Sequence, residues 1–343
     1  MNQIRLTGLT ANQPIGAMAA FGLLRRCDIT QTFGKTLLSW EEGTEWTALL
    51  HVEKACDEQA LSSALVEMNR GCSKLPHVCW RTNDSEEISF HEDIKMEPEA
   101  FKASLRQAVQ RFPEPSAEFI HYLAAYGSEM VVARSTGEIK PTALHMTAGQ
   151  QRFIKAVRTL AASIDADVLP SKRHKPEQRR ESILKAFHEA LFGPWLYQDD
   201  EHSLGWDPAT EALHAYSAEA PTIAGPTSVR GAVWLAFEAM PLFPCVATGT
   251  RLATTAFSAT GDAFTWPVWT CPISLLTLRS LLVSADLLGE APLTPRLRAR
   301  GIAAVFRCRR NTDANGRGQF RPAVLAAGKS AKQLTSLSLS ASN

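Results

Sequence analysis

Apolar and polar positions divide this chain into short strands and helices. Ile4 to Leu9 alternate enough for a strand, and they run into a segment where Pro14 suits the first turn of a helix, with Asn12 or Gln13 as cap. Ile15, Met18, Ala19, Gly22 and Leu23 continue an apolar face, and the intervening positions are apolar too, which predicts a helix buried on all sides. Gly16, Ala17, Ala19, Ala20 and Gly22 leave room for a second backbone, at a cost in helix propensity of about 1 kcal/mol per glycine. Residues 36–40, 46–52, 78–82 and 88–94 read as strands, interleaved with a helix at about 55–70.

The middle of the chain reads as helical. Pro98 opens one helix, and Ser116 caps a second that Gly127 closes. Thr147 followed by Gln150 matches the capping-box spacing, and Phe153, Val157, Leu160 and Ile164 recur at helical intervals, with Gln151, Arg152, Lys155 and Arg158 on the opposite face. Residues 165–181 lose apolar periodicity and gather Lys172, Arg173, His174, Lys175, Arg179 and Arg180, which reads as a basic loop or linker. Helices follow at 182–192 and 229–240, with Trp195 and Trp206 anchoring the turn-rich stretch between them. RLATTAF and AFTWPVW read as a hairpin whose second strand, carrying Pro267, is an edge or bulged strand; a helix at about 273–288 comes next. GIAAVFRCRR and QFRPAVLAA flank a turn and predict a second hairpin. The fold class expected is α+β: a mixed N-terminal sheet with a buried helix, a helical middle, and antiparallel hairpins with a helix in the C-terminal part. The expected organisation is an α+β domain over 1–164, the linker 165–181, and an α+β domain with a basic end over 182–343.

Charge changes this picture most at the end of the chain. The formal net charge is only +1. Residues 1–100 carry 9 Lys and Arg against 15 Asp and Glu, whereas residues 291–343 carry 10 against the single Asp313. Such a gradient points to an anionic partner, nucleic acid first, or to a solvated face that aids solubility. With 45% hydrophobic residues among 343, the chain can bury a sizeable core. No apolar run approaches the ~20 residues of a membrane span, and no signal-peptide pattern opens the sequence, so a cytoplasmic location without membrane contact is expected. The seven cysteines are scattered without a CxxC pair, against a disulfide framework or a zinc ribbon.

Candidate chemistry is sparse. P-loop, dinucleotide-binding, HExxH and GxSxG patterns are absent, and the nine histidines are dispersed. His91-Glu92-Asp93 and the cluster Asp199, Asp200, Glu201 and His202 are weak metal candidates; a solvated acidic loop is the simpler account of the second. No catalytic residue, metal or cofactor is assigned, and a nucleic-acid-binding protein without its own chemistry is expected. At the start of the Phe153 helix, Thr147, Gly149, Gln150 and Arg152 either close the helix or hold a phosphate on its free amides. Arg307 and Arg309 share a strand face, and with Arg310, Arg317, Arg321, Lys329 and Lys332 they form a candidate path for a phosphate backbone. Trp266 and Trp269 suit either base stacking or core packing.

The order of LTGLTANQPIGAMAAFGLLRR, LSWEEGTEWTALLH, KPTALHMTAGQQRF, LFGPWLY, SLGWDP and FTWPVWTCPISLLTLRSLL, over residues 4–285, resembles a compact subunit of type I-U (also called I-G) CRISPR systems, a candidate for the Cas-eight-type large subunit of the Cascade surveillance complex. The resemblance implies a non-catalytic subunit of a ribonucleoprotein that carries guide RNA, contacts target DNA and its flanking motif, sits among other CRISPR effector subunits, and works with a separate helicase-nuclease in antiviral defence. Thr147, Ala148, Gly149 and Gln150 match the pattern, without an assigned role; the basic end departs from it. Two alternatives stand beside this reading: a CRISPR RNA-processing nuclease using His145 or His174 with Lys172 or Lys175, and a purely structural adaptor.

Overall fold

The structure is a computed structural model that describes residues 1–81, 89–110, 118–169, 175–210, 228–289, 292, 295–312 and 316–327. The fold is α+β. Strands β1 (Asn2–Thr10), β2 (Thr36–Glu42) and β3 (Trp46–Val52) form an antiparallel sheet in the order β1-β3-β2, with Ile4 and Leu38 both opposite Leu50. Helix α1 (Pro14–Thr30) joins β1 to β2 and is buried from Pro14 through Arg25, as its all-apolar surface requires. Its Phe21 packs edge-on against Trp40 of the sheet, with ring centroids 6.4 Å apart.

Helices α2 (Glu58–Met68), α3 (Pro98–Gln110), α4 (Glu118–Tyr126), α5 (Phe153–Ile164), α6 (Pro176–Phe192) and α7 (Arg230–Glu238) follow. Asp57 caps α2, its side chain accepting the amide of Ala60 at 2.7 Å. α7 crosses α1 where Gly22 lacks a side chain, so the stripe of small residues does bring a second backbone close. Two ribbons, β4 (Gly127–Val132) with β5 (Ile139–Pro141) and β6 (Cys245–Thr248) with β7 (Arg251–Thr254), lie between the helical middle and a last sheet. That sheet is built on the long strand β9 (Ile302–Thr312), with β8 (Ala263–Trp269) on one side and β10 (Gly318–Phe320) and β11 (Val324–Ala327) on the other. Trp266 and Trp269 are buried and donate to the carbonyls of Ala11 and Leu38, which ties this sheet to the first and decides for core packing over base stacking. Buried apolar side chains form one cluster from Ile4 to Phe320. No helix among the described residues is long and apolar enough to cross a membrane.

Four sequence expectations are corrected. Residues 78–82 and 88–94 do not form strands where described; they meet in the single bridge Arg81–Phe90, because the amides of Val78 and Cys79 turn back to Leu75 and Trp80 is driven into the rings of Phe101, Phe119 and Tyr126. The stretch read as a loop through 181 is helical from Pro176. Its missing apolar period has a cause: buried Arg179 reaches the carbonyls of Ala162 and Asp165. RLAT pairs with the preceding CVAT rather than with AFTWPVW, since the chain turns at Ala256 with φ of 65° and leaves only a Phe257–Phe264 bridge to β8. The helix expected over 273–288 ends at Leu282 and restarts at Ala285, giving α8 (Leu275–Leu282, capped by Ser274) and α9 (Ala285–Leu288); α10 (Pro295–Ala299) precedes β9. Ser116 lies outside the described residues.

A polar knot sits inside the core. Arg25 of α1 bonds Glu238 at 3.0 Å and Glu118 at 2.8 Å, Tyr122 bonds Glu238, and the His77 ring lies parallel to Tyr122 at 3.8 Å with neither nitrogen hydrogen-bonded. Burial, helped by Arg25 and Arg26, holds His77 well below the usual imidazole range, so it is neutral in the folded state. The unfolded chain takes up a proton below about pH 6.5 and the folded chain does not, so His77 removes stability as pH falls, by up to about 1.4 kcal/mol per unit. His77→Phe should therefore gain on the wild type as pH drops from about 7 to 5. Urea unfolding along that range checks it; a gap that does not change with pH would reject it.

Candidate nucleic-acid interface

The stretch from Thr142 to Arg152 is extended, then turned, and it is pinned from three sides. The carbonyls of Leu144, His145 and Met146 accept in succession from Trp206 Nε1, Arg310 Nη2 and the Gly318 amide, each at 2.9 Å. These three bonds hold the backbone out of helical geometry, so α5 starts only at Phe153, with Arg152 as its N-cap and no side-chain cap. The capping box expected of Thr147 and Gln150 is thus absent. Thr147 is buried, with Oγ1 3.5 Å from His145 Nε2, while Gly149 and Gln150 are exposed in a turn where Gly149 has φ of 63° and open space about its Cα. Nor are all the first-turn amides available to an anion: that of Lys155 donates to the Glu92 carbonyl at 2.9 Å. The apolar face of α5 is as expected, with Phe153, Val157, Leu160 and Ile164 all buried.

The segment before α3 answers the polar face of α5. Asp93 Oδ1 meets His145 Nε2 at 2.6 Å and takes the Ile94 amide, while Oδ2 lies 3.7 Å from Arg152. Burial raises the Asp93 carboxyl, but the bond and charge of His145, the Ile94 amide and Lys95 outweigh it and hold the group below the usual carboxylate range. Lys155 pairs with Glu92 at 3.5 Å, and Arg158 lies over the Phe90 ring. His91, Glu92 and Asp93 therefore serve α5 and its preceding loop, not a metal. His145 is 3% exposed and committed to Asp93, so its ring is not presented to a substrate. Lys172 and His174 lie outside the described residues, and Lys175 precedes α6.

On β9 the arginines alternate. Arg307 and Arg309 share a face, as expected, and Arg310 points to the other. Arg307 is half-buried and donates from Nε to Thr265 Oγ1 at 2.9 Å and from Nη2 to the Gly289 carbonyl at 3.0 Å, which makes it an internal brace. Arg309 is exposed beside Asp262, whose carboxylate is held by the hydroxyls of Ser258 and Thr260, and no carboxylate among the described residues comes within ion-pair distance of it. Arg317 and Arg321 are exposed at the far side of the hairpin, and the Arg321 amide bonds the Arg309 carbonyl at 2.8 Å. Lys329 and Lys332 lie outside the described residues.

Two regions far apart in sequence thus meet. The hairpin β9–β10 lies on the 145–149 loop through the Arg310 and Gly318 bonds, and Phe320 donates to the Gly205 carbonyl at 2.9 Å. Gly205 and Gly318 make this possible: a Cβ on Gly205 would stand 2.7 Å from the Gly318 carbonyl oxygen, and one on Gly318 3.0 Å from Met146 Cγ. One surface therefore carries Gly149, Gln150 and Arg152 from the loop and Arg309, Arg317 and Arg321 from the hairpin region. The acidic cluster stands apart in role: Asp199 lies 3.4 Å and Glu201 4.0 Å from Arg230, while His202 is brought down to about 4 by burial and then by Arg317. Sequence reasoning passed over Asp93 as the partner of His145, for which no local signal exists. It also passed over Gly205, whose setting in SLGWDP was a readable sign of a backbone approach. No protein-family model matches the chain, and no curated protein or solved structure matches it.

Proposed function

We propose that this chain is a non-catalytic nucleic-acid-binding subunit of a CRISPR RNA-guided DNA surveillance complex, and that the surface formed by Gly149, Gln150, Arg152, Arg309, Arg317 and Arg321 lies along a phosphate backbone. The observation that carries the binding part is the convergence of the basic hairpin and the 149–152 turn on one face. Exposed guanidinium groups suit phosphates because their planar donor forks match the oxygens, and a turn with an open glycine lets backbone amides approach as well. The order of sequence segments described above supplies the CRISPR setting. In such a complex guide pairing reads sequence, so a protein face that reads only backbone fits the role.

Replacing Arg309, Arg317 and Arg321 together with alanine should weaken duplex DNA binding about tenfold or more at about 100 mM salt. It should also flatten the dependence of log affinity on log salt by about 2.7, at about 0.9 for each phosphate released. Anisotropy titrations of the full chain from about 50 to 200 mM salt read both quantities. An unchanged slope would reject the interface. Co-expression with the genomic neighbours of the chain tests the setting: a stoichiometric complex containing uniform repeat-derived RNA is expected, and a lone protein without RNA argues for the adaptor or nuclease alternatives.

A further inference from the structure

Arg310 is the anomaly of this surface. It is largely buried, yet it makes one hydrogen bond, from Nη2 to the His145 carbonyl, and Nε is buried without any partner. Among the described residues no carboxylate lies within ion-pair distance of it. Other buried arginines are answered: Arg25 by Glu118 and Glu238, Arg230 by Asp199 and Glu201, and Arg179 by two backbone carbonyls. Burial alone acts on Arg310, and it lowers the guanidinium below its usual range. A guanidinium carries five donors and a charge that cannot readily be shed, so a desolvated arginine with one neutral acceptor is costly unless an anion completes it. Gly318 lies directly against the side chain, where a Cβ would come 3.1 Å from Nε, and the residue keeps a partly exposed edge at the seam between the hairpin and the 145–149 loop.

We propose that Arg310 is the anchor of an anion site at this seam, taking a phosphate group as its missing counter-ion. The site is distinct from the exposed arginines: Arg309, Arg317 and Arg321 lie on the outer surface, whereas Arg310 engages a phosphate through a desolvated guanidinium whose orientation is set by the His145 carbonyl. Such an arginine supplies a fixed point of attachment, and the outer three supply a diffuse field. That the phosphate belongs to nucleic acid rests on the function proposed above; the anion site itself does not.

Thermal unfolding of the full chain, freed of bound nucleic acid, tests this with inorganic phosphate and with a short DNA duplex, against chloride at matched ionic strength. Phosphate stabilises many proteins by exclusion, so the readout is the difference between variants. Arg310→Met should melt higher than the wild type in chloride, by about 2 °C or more, because an uncompensated buried charge is gone. It should also lose most of the wild type's added response to phosphate, while Arg309→Ala keeps that response. A less stable Arg310→Met with an undiminished phosphate response would overturn the proposal and leave Arg310 as a simple donor to the His145 carbonyl. If Arg310→Met does not fold, Arg310→Lys decides: a reduced response supports the site, and an unchanged one removes it. A wild type that responds to phosphate no more than to chloride also removes it. Duplex that abolishes the Arg310-dependent phosphate response identifies nucleic acid as the source. Duplex that binds and leaves the response intact makes free phosphate the ligand and overturns only that identification, whereas duplex that does not bind at all rejects the function proposed above.

Discussion

Gly22→Val should leave the chain unable to fold, with a loss of about 4 kcal/mol or more against a typical total of about 5–15. A Cβ at Gly22 would stand 1.7 Å from the Leu235 carbonyl oxygen, 2.8 Å from its carbon and 3.0 Å from the Ala239 amide nitrogen. All three are backbone atoms of α7 or its end, so no rotamer change relieves the overlap. α7 cannot simply retreat either. Trp234 donates from Nε1 to Asn69 Oδ1 at 2.8 Å, and Gly231 on the same helix sits so close to α6 that its own Cβ would lie 2.4 Å from the Ala186 carbonyl oxygen. On its other side α1 is backed by the first sheet, and Gly16 is pressed against Thr10. Gly43→Ala is the control, since its Cβ would meet only the Glu45 carbonyl oxygen at 3.5 Å and should change stability by less than about 1 kcal/mol. Urea unfolding of the two variants reads the contrast. A folded Gly22→Val within about 1 kcal/mol of wild type would mean that α1 and α7 can separate, and the packing described here would be wrong.

That crossing shows which part of the fold was readable. The small-residue stripe on α1 announced a close backbone approach, because nothing else explains five Gly and Ala positions in one buried helix. It could not name the partner, since α7 lies more than 200 residues later. The strands at 36–40 and 46–52 and the buried face of α5 were legible for the same reason: their period reflects a local environment, one face in and one face out. The candidate site was legible only in its parts. Thr147 and Gln150 have capping-box spacing, yet Trp206, Arg310 and Gly318 take the three preceding carbonyls and set a different backbone. Likewise, alternation on β9 put Arg310 opposite Arg307 and Arg309, but charge alone suggested that all three face solvent. Local period reports which way a side chain points, not what waits there.

Glu238→Ala should cost about 3–5 kcal/mol, more than any substitution at the exposed ion pairs. The Arg25 and Glu238 side chains are each 1% exposed, so neither recovers water when its partner is removed. Without Glu238, Arg25 keeps Glu118, and Tyr122 loses the acceptor of its hydroxyl. Glu118→Ala should cost less, because that carboxylate is 25% exposed and water can replace it. A double replacement, Arg25→Met with Glu238→Ala, should lose less than the sum of the two single changes, since the second removes the charge stranded by the first. Additive losses in that cycle would show that the pair contributes only packing. The knot joins α1, α4 and α7, and it is distant in role from the arginine surface, although Trp266 links β8, the neighbour of β9, to the β1–α1 turn. Glu238→Ala at a temperature where it remains folded should therefore keep the wild-type salt slope for DNA. A slope that fell with the lost stability would mean that the core and the surface share one cooperative arrangement, and that the arginine surface depends on the knot as well as on its own loop.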